Sequence, residues 1–168
     1  MKEIFIRRSV RRFNDKEVSK EQIQKLLQAA MQAPSAVNQQ PWKFLVIQNK
    51  EKKAQLSNVS KSAKMLEEAN VAIVLLMDTR DLKKEEMAPQ DMSAAMQNLL
   101  LEVVTQKLGA VWIGLYPTTT RTEEAKNVLE LPEYFIPFAI AAVGYPLEDD
   151  ANYFLDRYDA TKVFFEEV

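Results

Sequence analysis

The sequence contains no cysteine and no histidine. Their absence excludes thiol nucleophiles, disulfides, redox Cys-x-x-Cys pairs, cysteine–histidine zinc clusters and histidine general bases. Side chains alone then offer carboxylate, lysine, tyrosine or carboxylate–metal chemistry, so a bound cofactor is the leading expectation for any catalytic role. Glycine is nearly as scarce, with only Gly109, Gly114 and Gly144. These cannot form Gly-x-Gly-x-x-Gly. Gly109 and Gly114 have the separation of phosphate-loop glycines, but Leu115 and Tyr116 stand where that loop requires Lys and Ser or Thr.

Long apolar runs are also missing: even Val71–Met77, a seven-residue buried-strand pattern, is far short of the ~18 residues of a membrane helix. Nor is there an excess of one charge. Twenty-two basic against twenty-four acidic side chains give a net charge of −2, which offers no field for nucleic acid or an acidic membrane. The N-terminal MKEIFIRRSVRRF is arginine-rich, yet it carries Glu3 and runs into a patterned helix without a serine-rich continuation. A transit peptide is therefore not expected, and a cytoplasmic location is.

What is present is a chain of 168 residues, 47% hydrophobic and 27% charged, enough for one compact domain over residues 1–168. Ser19-Lys-Glu-Gln22 has the capping-box pattern, and Ile23, Leu26, Leu27, Ala30 and Met31 follow at helical spacing, predicting a helix over 20–33. The proline-bounded stretch 34–41 reads as a fixed loop and 44–47 as a strand. A charged helical region at 51–68 leads to the strand 71–77, whose lack of alternation implies cover on both faces. After a charged link, Met92, Ala95, Met96, Leu99, Leu100, Val103 and Val104 mark a helix over 90–108. Gly109 stands where its C-terminal cap belongs. A strand at 110–113, a capping box at Thr120-Arg-Thr-Glu123 with a helix to Leu129, and a strand at 136–143 complete the pattern. Interleaved helices and strands imply an α/β or α+β sandwich with helices on both faces of the sheet.

Three segments could carry chemistry. Arg7, Arg8, Arg11 and Arg12 surround Ser9, suiting phosphate or carboxylate, or else complementing nearby acids at a helix end. The stretch Pro34-Ser-Ala-Val-Asn-Gln-Gln-Pro41 sets hydroxyl and amide groups where they could fix a flat heteroaromatic ring, or simply close a turn. Gly114, at the end of a strand bearing Trp112 and Ile113, either opens backbone N–H groups to a ligand or turns the chain. The terminal segment 148–168 differs in kind, with five aromatics among seven acids and two bases. It is expected to dock on its own domain or on a partner subunit.

In this order and spacing the segments resemble the FMN-dependent nitroreductase family. The match runs through Arg7-Arg-Ser-Val-Arg11, Ala33-Pro-Ser-Ala-Val-Asn-Gln-Gln-Pro-Trp42, residues 91–101 before Gly109-Ala-Val-Trp-Ile-Gly114, Ala141-Ala-Val-Gly-Tyr-Pro146 and Arg157-Tyr-Asp-Ala-Thr-Lys-Val163. The resemblance implies an α+β, α-β-α sandwich with a central mixed sheet, forming an intertwined homodimer. In it, residues 148–168 are a C-terminal extension docking on the partner subunit. It also implies FMN as cofactor and NADH or NADPH as electron donor. Arg7 and Arg157 would hold the phosphate, Arg8 and Ser9 would support ribityl and phosphate oxygens, and Arg11 would face the pyrimidine edge of the ring. Pro34, Ser35, Ala36 and Asn38 would come from the other subunit, and Trp112, Ile113 and Gly114 would lie along the ring. Ala36 replaces a second serine common in the family, and no role carries over to residues 61–65. No catalytic side chain and no metal is expected, because hydride passes through N5 of the flavin. The implied activity is ping-pong transfer of electrons from NAD(P)H to a nitroaromatic, quinone or flavin acceptor. A non-catalytic flavin-binding or regulatory protein, or a specialised relative such as a reductive dehalogenase, is the alternative on the same fold.

Overall fold

The structure is a computed structural model and describes residues 2–167. Val168, counted above in the terminal segment, lies outside them. The strands β1 (Trp42–Ile47), β2 (Val71–Asp78), β3 (Gly109–Gly114) and β4 (Phe135–Gly144) form one sheet in the order β1-β2-β4-β3. All neighbouring strands run antiparallel. A parallel element enters through the N-terminal segment, where Ser9 bridges Ala110 beyond the β3 edge.

Strand β2 is central and shows why its sequence lacks alternation. Val71, Ile73, Leu75 and Met77 face one core, while Ala72, Val74 and Leu76 face the other. The first core lies under helices α2 (Lys20–Met31) and α4 (Ala88–Thr105). Leu56 of α3 (Lys50–Leu56), Ala63 and Leu66 of a 3-10 stretch, and Ala125 of α5 (Thr119–Leu129) build the second. A short helix α1 (Glu3–Ile6) precedes the first arginines.

The Ser19 capping box forms, with Gln22 N–H donating to Ser19 Oγ at 3.2 Å and Ser19 N–H to Gln22 Oε1 at 3.0 Å. Helix α2 ends at Met31, two residues before the expected end, because Pro34 disfavours helical backbone in the residue preceding it. Helix α4 begins earlier than expected, since Pro89 is tolerated in a first turn where its missing N–H has no partner to lose. The expected capping box at Thr120 does not form: the helix starts at Thr119 with Thr118 as its cap and no side-chain capping bond.

Gly109 is not the cap of α4. Lys107 adopts the left-handed conformation (φ 58°), and the N–H groups of Lys107 and Leu108 donate to Val104 and Val103 carbonyls at 3.0 and 2.9 Å. Gly109 instead opens β3, and its need for glycine comes from outside the helix. A Cβ there would stand 2.7 Å from Val10 Cγ1, below any sustainable contact. Val10 is held at this place by its own N–H, which donates to the Ala110 carbonyl at 2.9 Å. Gly109→Ala should therefore destabilise the fold by ~1–3 kcal/mol in denaturant unfolding, whereas Gly114→Ala, whose Cβ would meet nothing nearer than Trp112 Nε1 at 4.0 Å, should be close to neutral. Equal effects at the two positions would contradict the packing described.

Candidate functional site

Helix α1 ends at Arg7, where ψ of 125° turns the chain into an extended run alongside β3. Val10 is buried, so Ser9 and Arg11 on either side of it point outward. Arg8 N–H donates to Asn152 Oδ1 at 3.1 Å, while Asn152 Nδ2 donates to the Leu108 carbonyl at 3.0 Å. This ties the start of the terminal segment to the arginine run. The Arg8 guanidinium donates to the carbonyls of Arg7 (2.5 Å) and Phe5 (2.8 Å) and lies 5.1 Å from the Tyr153 ring centroid. Its Nε is buried with no protein partner.

Arg7 is half-buried. Burial first, then the charges of Arg8 and Arg157, pushes the pKa of its guanidinium below the ordinary arginine value. The structure thus brings Arg7, Arg8 and Arg157 of one chain within electrostatic reach of each other. Among the described residues no carboxylate forms an ion pair with Arg7, Arg8, Arg11 or Arg157; Arg12 alone of the cluster has one, with Glu148 at 3.8 Å. Mutual complementation with acids therefore accounts for Arg12 and not for the others. Arg11 Nη1 donates to the Ser9 carbonyl at 3.2 Å. A depression of about 350 Å³ lined by Ser9, Arg11, Arg12, Glu148, Asp150 and Tyr153 opens beside them.

On β3, Ile113 buries its side chain in the second core and offers only backbone outward. Trp112 is half-buried, its ring 6.0 Å from Phe138. Gly114 leaves a gap that no side chain of its own chain fills.

The loop between α2 and β1 contains a 3-10 turn, Ala36–Asn38. Val37, Asn38 and Gln40 all have positive φ (46°, 56° and 46°), an uncommon state that a β-branched residue such as Val37 adopts at a cost. Ser35 Oγ accepts from Gln40 N–H at 3.1 Å, and Asn38 Oδ1 accepts from Gln40 Nε2 at 3.1 Å. Ala36 N–H and Gln39 Nε2 donate to the two carboxylate oxygens of Asp91 in the first turn of α4, at 2.9 and 2.7 Å. Asp91, Gln39, Asn152 and Tyr153 are absent from the sequence-derived set; an acid at a stripe position of an otherwise apolar helix is the signal that Asp91 carried.

The two halves of the expected site do not meet within one chain. The arginine run bridges β3 near Gly109, opposite Gly144 of β4. Pro41 and Trp42 adjoin Met77 and Asp78, in register with Ile136 and Phe135 at the far end of β4. Between the two lie eight steps of ~3.4 Å along β4 and four strand spacings of ~4.8 Å across the sheet, the last from β3 to the arginine run.

The model of the nitroreductase family matches residues 4–64 and 60–145, and so spans both halves. The chain belongs to the nitroreductase family. A protein of Methanothermobacter thermautotrophicus, provisionally named an NADH dehydrogenase/NAD(P)H nitroreductase, is 39% identical over 160 residues, covering 95% of this chain and 83% of its own. A crystal structure from Clostridium acetobutylicum, provisionally named an NADH oxidase, superposes with a TM-score of 0.95 at 46% identity over 99% of both chains. Another, from Desulfovibrio desulfuricans and solved in complex with FMN under the provisional name of nitroreductase, has a TM-score of 0.83 at 30% identity, covering 99% of this chain and 95% of the other. These likenesses extend beyond the family match into the terminal segment. Among the described residues, no helix is long and apolar enough to cross a membrane.

Proposed function

We propose that the protein is a homodimeric FMN-dependent NAD(P)H oxidoreductase whose two cofactor sites are each assembled from both subunits. The observation that carries this reading is the set of three guanidiniums, Arg7, Arg8 and Arg157, gathered by one chain with no acid paired to them among the described residues. Like charges assembled without counter-ions call for an anion, and a phosphate monoester supplies up to two negative charges and several acceptors. The buried, unpartnered Arg8 Nε adds an unused donor. The gap at Gly114 leaves room for backbone to approach a flat ring. These features fit FMN.

When bound, FMN supplies the redox chemistry, taking hydride from NAD(P)H and passing electrons in a separate half-reaction to a nitroaromatic, quinone or flavin acceptor. The chain's own residues bind and bias. Arg7 and Arg157 neutralise the phosphate, with Arg8 and Ser9 beside them. Trp112, Ile113 and Gly114 present the β3 edge, Ile113 and Gly114 through backbone. Pro34, Ser35, Ala36 and Asn38 reach the site from the partner subunit, which accounts for their distance from the arginines within one chain. The terminal segment is the second crossing element: Phe154, Tyr158, Phe164 and Phe165 are 60–86% exposed on the single chain, so docking on its own domain does not cover them.

Arg11 provides positive charge at the pyrimidine edge, where reduction places negative charge. In Arg11→Gln, the midpoint potential of the bound flavin should fall and its reduction by NAD(P)H should slow, with FMN affinity less affected than potential. Anaerobic reductive titration against a reference dye, with stopped-flow reduction, measures both. Wild-type potential and rate in this variant would overturn the role given to Arg11.

A further inference from the structure

We propose that Asp91 and Gln39 form a positioning latch that holds the 34–41 loop in its cofactor-binding shape and ties it to the neighbouring link, residues 79–87. The proposal rests on the reading above, in which this loop touches FMN across the dimer.

Asp91 is 5% exposed, and both its oxygens are directed at the loop: Oδ1 accepts Ala36 N–H and Oδ2 accepts Gln39 Nε2. Gln39 uses its amide fully. Oε1 accepts from the N–H groups of Lys83 and Lys84 at 3.1 and 3.0 Å, and Nε2 donates to the Lys84 carbonyl at 3.0 Å as well as to Asp91. One half-buried side chain therefore joins the loop, the link and α4. The polarity is forced: two backbone N–H groups need the amide oxygen, which leaves the nitrogen for the carboxylate.

The loop needs such a clamp. Three left-handed non-glycine residues within four positions each cost free energy that a freed loop would relax. Ser35 and Asn38, the groups assigned to the cofactor, sit on either side of Ala36 and its bond to Asp91. Neither Asp91 nor Gln39 need touch the flavin to set where those groups stand.

The polarity makes the test specific. In Asp91→Asn the new amide can still accept from Ala36 N–H but presents a donor to Gln39 Nε2, and Gln39 cannot flip without losing Lys83 and Lys84. FMN affinity, measured by quenching of flavin fluorescence, should weaken about tenfold. Amide exchange at Ala36, Lys83 and Lys84 should accelerate. Gln39→Ala, a change at a half-exposed position that leaves the cores intact, should show the same two effects. The double variant Asp91→Asn/Gln39→Glu reverses the central bond: the introduced amide nitrogen donates to the introduced carboxylate, whose other oxygen accepts from the N–H groups of Lys83 and Lys84, while the Lys84 carbonyl loses its donor. Affinity should exceed that of Gln39→Glu alone, which shares the loss at the Lys84 carbonyl and sets two carboxylates face to face. Unchanged FMN affinity in both single variants, or a double variant no tighter than Gln39→Glu alone, would overturn the latch. If the wild-type protein binds no FMN, the functional reading fails and the latch's role at the cofactor with it. Exchange at Ala36, Lys83 and Lys84 then separately reports whether the clamp itself exists.

Discussion

Removal of residues 154–168 should abolish both the dimer and FMN retention. The truncation is placed so that Asn152 keeps its bonds to Arg8 N–H and the Leu108 carbonyl, and Tyr153 stays over the Arg8 guanidinium. What goes is Arg157 and four aromatics, Phe154, Tyr158, Phe164 and Phe165. On a single chain these rings stay largely exposed, Phe165 at 86% and Tyr158 at 78%. In the proposed dimer, aromatics this exposed on one continuous segment are the ones the partner would cover. Size-exclusion chromatography should then show aggregate or a colourless monomer. A soluble dimer of the truncated chain that still carries flavin would refute the crossing role of the segment.

Arg7→Ala should weaken FMN binding by about ten- to a hundredfold, the equivalent of the ~1.5–3 kcal/mol of a charge-assisted hydrogen bond. In the free protein Arg7 is held against the charges of Arg8 and Arg157 and against its own burial. Shortening the side chain relieves that repulsion, so the fold should lose little stability while the phosphate loses a principal partner. Thermal unfolding of the apoprotein and isothermal titration with FMN separate the two quantities. Parallel losses in both would show a structural arginine, and unchanged affinity would remove Arg7 from the site.

Much of this was legible in the sequence because the responsible patterns are local. The Ser19 capping box, the unalternating β2 and the apolar stripe of α4 each depend on neighbours within a turn or a strand, and each forms as expected. Errors arose where a distant residue decided the outcome. Gly109 looked like a helix cap, but its glycine answers to Val10, which is close in space and remote in sequence. The Thr120 pattern is preempted by a helix whose cap and start lie two residues earlier. At the site, the arginines, the loop and the β3 edge were readable as separate segments. Their separation across the sheet was not, because it depends on the strand order β1-β2-β4-β3. The roles of Asp91 and Gln39 are not legible in the sequence for the same reason, since their bonds join three segments that only the fold makes adjacent.

The most direct test of the account is made on the purified full-length protein supplied with FMN. Its mass in solution, flavin content and visible spectrum are recorded before and after anaerobic addition of NADH or NADPH. The account predicts a dimer carrying two FMN, whose yellow colour bleaches with at least one of the nucleotides and returns when a quinone or nitroaromatic is added. A flavin-loaded monomer, or a yellow protein that neither nucleotide reduces, would contradict it.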